Sequence, residues 1–146
     1  MSSESPKPTS GPPHASSWAA PPEFYVDENI AGRTLRRALE DLGYTVHTPP
    51  RLYGSRGAAE GVSDARWLRD VGRHGWVVIG RDTKILERPD ELAAYRAARV
   101  HMVLFPGQAT RAQLVELLHR HLHDICMHAS LRSPRVYRVR REMTEL

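Results

Sequence analysis

Twice in this chain a short apolar run stops on a carboxylate just before a helical pattern begins. Phe24-Tyr25-Val26 leads into Asp27-Glu28-Asn29, and Trp76-Val77-Val78-Ile79-Gly80 leads into Arg81-Asp82. Runs this short and this uniformly apolar fit strands buried on both faces, as in a parallel sheet. Between them, Asp64 follows Ser63 at the predicted start of a helix. In open α/β sheets ligands bind beyond the carboxyl ends of the strands. Two strand-end acids and one helix-start acid are therefore expected to meet on one rim. Carboxylates gathered that closely repel, and a divalent cation is the usual resolution.

The rest of the chain supports the same architecture. After a first strand over 23–27, Leu35, Ala38, Leu39 and Leu42 recur at helical spacing, and Gly43 is placed to end that helix. Residues 44–48 form a second strand, stopped by Pro49-Pro50. Residues 49–62, with Gly54, Gly57 and Gly61, read as loop. A helix runs from Ser63 to about Val71, a third strand covers 76–80, and Pro89 opens a helix to about Ala98. A fourth strand spans 100–105, and the longest helix runs from Thr110 to about His128. Arg135–Arg140 is expected as a fifth, edge strand. Alternating strands and helices predict a three-layer α/β/α sandwich around a mostly parallel sheet.

Residues 1–22 hold six prolines and six serines without apolar periodicity, so they are expected to be a disordered tail preceding a domain over 23–146. No run reaches the roughly 18 apolar residues of a membrane span, and the start lacks the apolar core of an export signal. With Cys126 as the single cysteine, a reducing cytoplasm is the expected setting. The net charge of +4 is modest, and its placement says more than its size. Arg51 and Arg56 lie in the loop that borders the predicted acidic rim, and Arg33, Arg66, Arg81, Lys84 and Arg88 surround it. Cations around an acidic centre suit a phosphodiester substrate, drawn in by charge and hydrolysed with metal assistance.

Each acid also has a plainer reading. Asp27 can serve as a helix N-cap, Asp64 as a first-turn acid favoured by the helix dipole, and Asp82 as a turn former. Glu28 and Asn29 are auxiliary candidates, and Asn29 can simply start the helix. Lys84 is either a phosphate ligand or a solvated lysine. His119 and His123 have zinc-compatible spacing but fall on the polar side of the last helix, with no third ligand to complete a site. His121, His128 and Cys126 read as structural. No Gly-rich phosphate loop and no Gly-x-Ser-x-Gly elbow is present.

At Tyr25-Val26-Asp27-Glu28-Asn29, Gly61-Val62-Ser63-Asp64 and Val78-Ile79-Gly80-Arg81-Asp82-Thr83-Lys84 the chain resembles the PIN-like nucleases, over Phe24 to about Phe105. The likeness extends to the small group that includes VapC-type toxins of bacterial toxin–antitoxin pairs. It implies a magnesium- or manganese-dependent ribonuclease with Asp27, Asp64 and Asp82 as metal ligands and catalytic acids. It also implies an RNA substrate met by Arg51, Arg56, Arg81 and Lys84, and a cognate antitoxin as partner. Such nucleases gather four acids. Glu28, Glu87 and Asp90 are the candidates for the fourth, and a chain lacking it could instead be a binding module for nucleic acid or protein. A receiver-like phosphoacceptor domain is disfavoured, because no strand-end lysine follows Phe105.

Overall fold

The computed structural model describes residues 11–27 and 29–146. Six strands form one sheet in the order β2-β1-β3-β4-β5-β6. They are β1 (Phe24–Val26), β2 (Val46–His47), β3 (Val77–Asp82), β4 (His101–Pro106), β5 (Val136–Val139) and β6 (Met143–Glu145). The first five are parallel, and β6 returns antiparallel to β5. Six α-helices accompany them among the described residues: α1 (Ile30–Asp41), α2 (Pro49–Tyr53), α3 (Arg56–Glu60), α4 (Asp64–His74), α5 (Pro89–Ala97) and α6 (Arg111–Leu131).

The alternation of side chains along each strand divides the core in two. Phe24, Val26, Val77, Ile79, Val103 and Phe105 face α1 and α6 on one side. Tyr25, Val78, Met102, Leu104 and Val136 face α4 and α5 on the other. The result is the expected α/β/α sandwich, with β3 and β4 covered on both faces.

Several helix ends lie where the sequence places them. Asn29 Oδ1 accepts from Gly32 N at 2.7 Å to cap α1, Ser63 caps α4, and Thr110 with Gln113 forms a reciprocal capping box on α6. Gly43 ends α1 with φ +89°.

Three expectations need correction. Residues 49–62 are not loop. Thr48 caps α2 with Pro49 at its first position, Gly54 closes it in left-handed geometry, and Ser55 caps α3. The proline pair that stops β2 is thus also a good helix opening. Second, β5 is an interior strand, and β6 takes the edge.

Third, residues 11–22 do not behave as a disordered tail. Ala15 is buried and donates its backbone N–H to Leu42 O. Trp18 Nε1 donates to the Tyr44 hydroxyl, which donates to Pro13 O, both at 2.9 Å. A few anchors fix this stretch, although its average composition is polar. The part of the tail call that covers residues 1–10 lies outside the described residues.

Candidate active site

In a parallel sheet with this order the chain leaves β1 for β2 on one side and returns to β3 on the other. The carboxyl ends of β1 and β3 therefore open onto a crevice, the ordinary ligand position in such sheets. A cavity of about 700 Å³ occupies it. Asp27 and Asn29 border it from the end of β1, Asp64 and Trp67 from α4, and Gly80 and Arg81 from β3.

Asp27 leaves β1 one residue after Val26, which is in register with Ile79. It therefore stands level with Gly80, where an added Cβ would lie only 2.9 Å from Leu104 Cδ2. The first turn of α1 packs tightly behind it, since a Cβ on Gly32 would lie 1.7 Å from the Asp27 carbonyl oxygen. Asp64 is the first residue of α4, and its Oδ1 accepts from Trp67 Nε1 at 2.9 Å. That bond fixes the carboxylate toward the cavity side of the helix.

Aromatic side chains line the same space. Tyr25 stacks on Trp67 with ring centroids 5.6 Å apart. Tyr53 donates to Asp70 Oδ2 at 2.8 Å and lies under the Arg66 guanidinium. Tyr95 donates to Glu91 Oε2 at 2.7 Å. Burial raises the pKa of all three phenols, that of Tyr53 to about 12. The charge of Asp27 adds to the shift at Tyr25, and that of Asp64 to the shift at Tyr95. All three are neutral hydrogen-bond donors at physiological pH.

Asp82 does not join the other two acids. Its side chain is 4% exposed and is held by two arginines from the far side of the sheet. Arg140 Nη2 donates to Oδ2 at 2.8 Å, and Arg138 Nε approaches the same oxygen at 3.3 Å without hydrogen-bond alignment. Oδ1 accepts from Ile85 N at 2.9 Å, so the carboxylate also organises the turn after β3. Asp82 lies two residues beyond the level of Asp27, about 7 Å further along the strand. There Arg138 of β5 and Arg140 just after it reach Asp82 across β4. Among the described residues no group of three or more His, Cys, Asp or Glu is placed to hold a metal ion.

The remaining expectations divide. Arg56 and Arg81 line the cavity, and Arg81 is steadied by a 3.0 Å bond to Gly107 O. Arg51 is turned away, onto Val46 O at 2.9 Å and Glu40 at 3.3 Å. Lys84 stands outside the cavity in left-handed geometry, with φ 62°, where the chain enters a 3-10 turn. Arg33 also lies off the rim, while Arg66 and Arg88 are paired with Asp70 and Glu91. Glu28 lies outside the described residues.

Neither Glu87 nor Asp90 borders the cavity; Glu60 and Glu91 do. These two were missed by sequence reasoning. A usable signal for Glu91 was its spacing of four from Tyr95 on α5. His119 and His123 are exposed on α6, His123 Nδ1 lies 3.5 Å from Asp124 Oδ1, and His121 is buried against Arg140 O.

The PIN like domain family matches residues 22–107. The chain belongs to that family. The matched span runs from β1 through β4, contains every residue of the acidic crevice except Leu114, and stops before α6. The arginines that neutralise Asp82 therefore come from outside the part of this PIN-like chain that the family covers. No curated protein and no solved structure matches, and no helix among the described residues is long and apolar enough to cross a membrane.

Proposed function

We propose that this PIN-like chain is a metal-dependent endoribonuclease whose working carboxylates are Asp27 and Asp64. The observation that carries the reading is that these two acids, from β1 and α4, border one cavity at the divergence of β1 and β3. Magnesium is commonly held by one or two carboxylates, with water and substrate phosphates completing its octahedron. The two acids therefore suit a magnesium or manganese ion that arrives with the substrate, though not a three-carboxylate cage. Such an ion, when bound, would supply Lewis acidity at the scissile phosphate.

The protein's own residues account for binding and orientation. Arg56 and Arg81 offer guanidinium donors to flanking phosphates. Trp67, Tyr53 and Tyr95, all partly exposed at the cavity, give unpaired bases an apolar wall to stack on, which favours a single strand over a duplex. Trp67 keeps Asp64 from rotating, and Gly32 keeps the α1 turn pressed against Asp27. In a toxin setting, an antitoxin would have to cover this cleft, and Arg56 and Arg81 would attract an acidic segment.

The engagement of Asp82 favours one competing reading, a PIN-like module that binds RNA without cutting it. Purified protein with single-stranded RNA and manganese separates the two. The nuclease reading expects cleavage that EDTA stops and that Asp27→Asn and Asp64→Asn each abolish. Binding without cleavage by the folded wild type would leave the module.

A further inference from the structure

A second cavity, of about 700 Å³, lies between α1 and α6. Its walls include Arg33 and Arg37 on α1 and Arg111 on α6, with Asp41 and His119 at the far end. On α1, Arg33, Arg37 and Asp41 follow at intervals of four, as do Arg111, Val115 and His119 on α6. Residues at that interval lie above one another on a helix face, about 6 Å apart along the axis. Two rows thus face each other across a groove floored by Ala38, Leu42 and Val115.

The charges in the groove are unbalanced. On the same helices Arg36 is paired with Glu40 at 3.1 Å and Arg120 with Glu116 at 4.0 Å. Arg33, Arg37 and Arg111 form no ion pair among the described residues, and Asp41 is the one carboxylate in the lining. Three guanidiniums turned into one groove repel, and an anion relieves them.

The groove also adjoins the acidic crevice at the N-terminal ends of α1 and α6. Both helices start just beyond strand carboxyl ends, α1 after β1 and α6 after β4. Gly32 and Leu114 border the first cavity, while Arg33 and Val115, their neighbours in sequence, border the second.

We propose that the α1/α6 groove tracks the phosphates of single-stranded RNA, carrying the stretch that flanks the nucleotides held in the acidic crevice. The identity of the polyanion rests on the nuclease reading; the groove itself does not. A protein partner is less well served here. Helix backbone has no unpaired edge for an extended peptide, and a floor of only Ala38, Leu42 and Val115 is short for the i, i+3, i+4, i+7 anchors of a docked helix. Phosphates need only the guanidiniums.

The test uses fluorescence anisotropy of the full chain in EDTA, with labelled RNAs of about four and about 12 nucleotides, which bracket common single-strand sites. The triple variant Arg33→Gln, Arg37→Gln, Arg111→Gln should bind the longer RNA at least about tenfold more weakly at low salt. Its logarithmic salt slope should fall by about 2, three contacts at about 0.7 each. Binding of the short RNA and the melting temperature should not change, and replacement of the same three positions by Lys should retain the slope. Unchanged affinity and slope with the longer RNA would overturn the proposal. Competition by polyglutamate of matched charge as strong as by RNA would also overturn it and assign the groove to an acidic protein. If the triple variant loses RNA binding while the wild type cuts no RNA, the groove stands and the nuclease reading falls.

Discussion

Arg140 holds Asp82 from across β4, donating from Nη2 to Oδ2 at 2.8 Å. The two residues are 58 positions apart, and only the parallel placement of β5 beside β4 brings them together. This contact makes the strand-end carboxylate most easily mistaken for a metal ligand into a joint between the family-matched span and the C-terminal α6–β5–β6 segment. An acid so placed has a backbone N–H on one oxygen and two guanidiniums beside the other, and those two positive charges disfavour a cation at the same carboxylate.

Opposite stability effects follow from the two roles of Asp82. In a cluster of acids, Asp82→Asn would relieve repulsion and raise the metal-free melting temperature. In the ion-paired arrangement it leaves two guanidiniums facing a neutral amide. Removing one partner of a fully buried pair costs about 3–5 kcal/mol. Both arginines are partly exposed, so solvent takes up some of the loss and about 1–3 kcal/mol is expected. For a chain of this size that is a fall of several degrees. A metal-free melt at or above wild type would return Asp82 to the acidic cluster.

The contrast between Asp27 and Asp82 indicates what the sequence could carry. Strand and helix positions were legible because buried parallel strands and amphipathic helices have different apolar periods. That β1 and β3 both end in acids was legible for the same reason. Which neighbour each acid meets was not, because that depends on strand order and on residues such as Arg138 and Arg140 far along the chain. Val136, Tyr137 and Val139 announced a strand, but nothing in Met143-Thr144-Glu145 has the apolar alternation that would announce a partner covering its edge. Residues 11–22 were misjudged because Ala15 and Trp18 are single anchors in a polar stretch, which a compositional average erases.

Gly32 provides a test of the packing behind Asp27. In an ordinary helix Gly→Ala stabilises by about 0.5–1 kcal/mol. Here the added methyl would lie 1.7 Å from the Asp27 carbonyl oxygen, so the first turn of α1 or Asp27 itself must move. Gly32→Ala is therefore expected to destabilise by about 1–3 kcal/mol, the usual range for overpacking, as read from the urea midpoint. A stabilised variant would show that the turn is free to relax.

Alkaline pH should weaken the fold through Cys126. Burial raises its thiol pKa from 9.0 to about 11, against a smaller opposing effect of the Tyr44 hydroxyl. The folded chain keeps this proton where the unfolded chain has released it. The stabilisation is therefore complete below pH 9.0 and lost as pH rises toward about 11. Burial of the Tyr44 phenol acts with the same sign at higher pH. Urea midpoints across this interval should fall in the wild type and fall less steeply in Cys126→Ala. Equal slopes would remove Cys126 as the source.

The decisive prediction concerns Asp27 and Asp64, which border the crevice while Asp82 does not. If the two hold a divalent ion together with substrate, manganese alone should raise the wild-type melting temperature only slightly, and manganese with a non-cleavable RNA analogue should raise it more. Binding confined to the folded state adds about 2.7 kcal/mol at a hundredfold excess of ligand over its dissociation constant. Asp27→Asn and Asp64→Asn should each remove that joint response while the metal-free fold survives, since Asp27 is exposed and Asp64 stands at the start of α4. Cleavage of single-stranded RNA should disappear in both. Asp82→Asn should behave differently, with a lower melting temperature and cleavage that persists at temperatures where it remains folded. If Asp82→Asn abolished cleavage in fully folded protein while Asp27→Asn or Asp64→Asn retained it, the crevice would not be the seat of the chemistry.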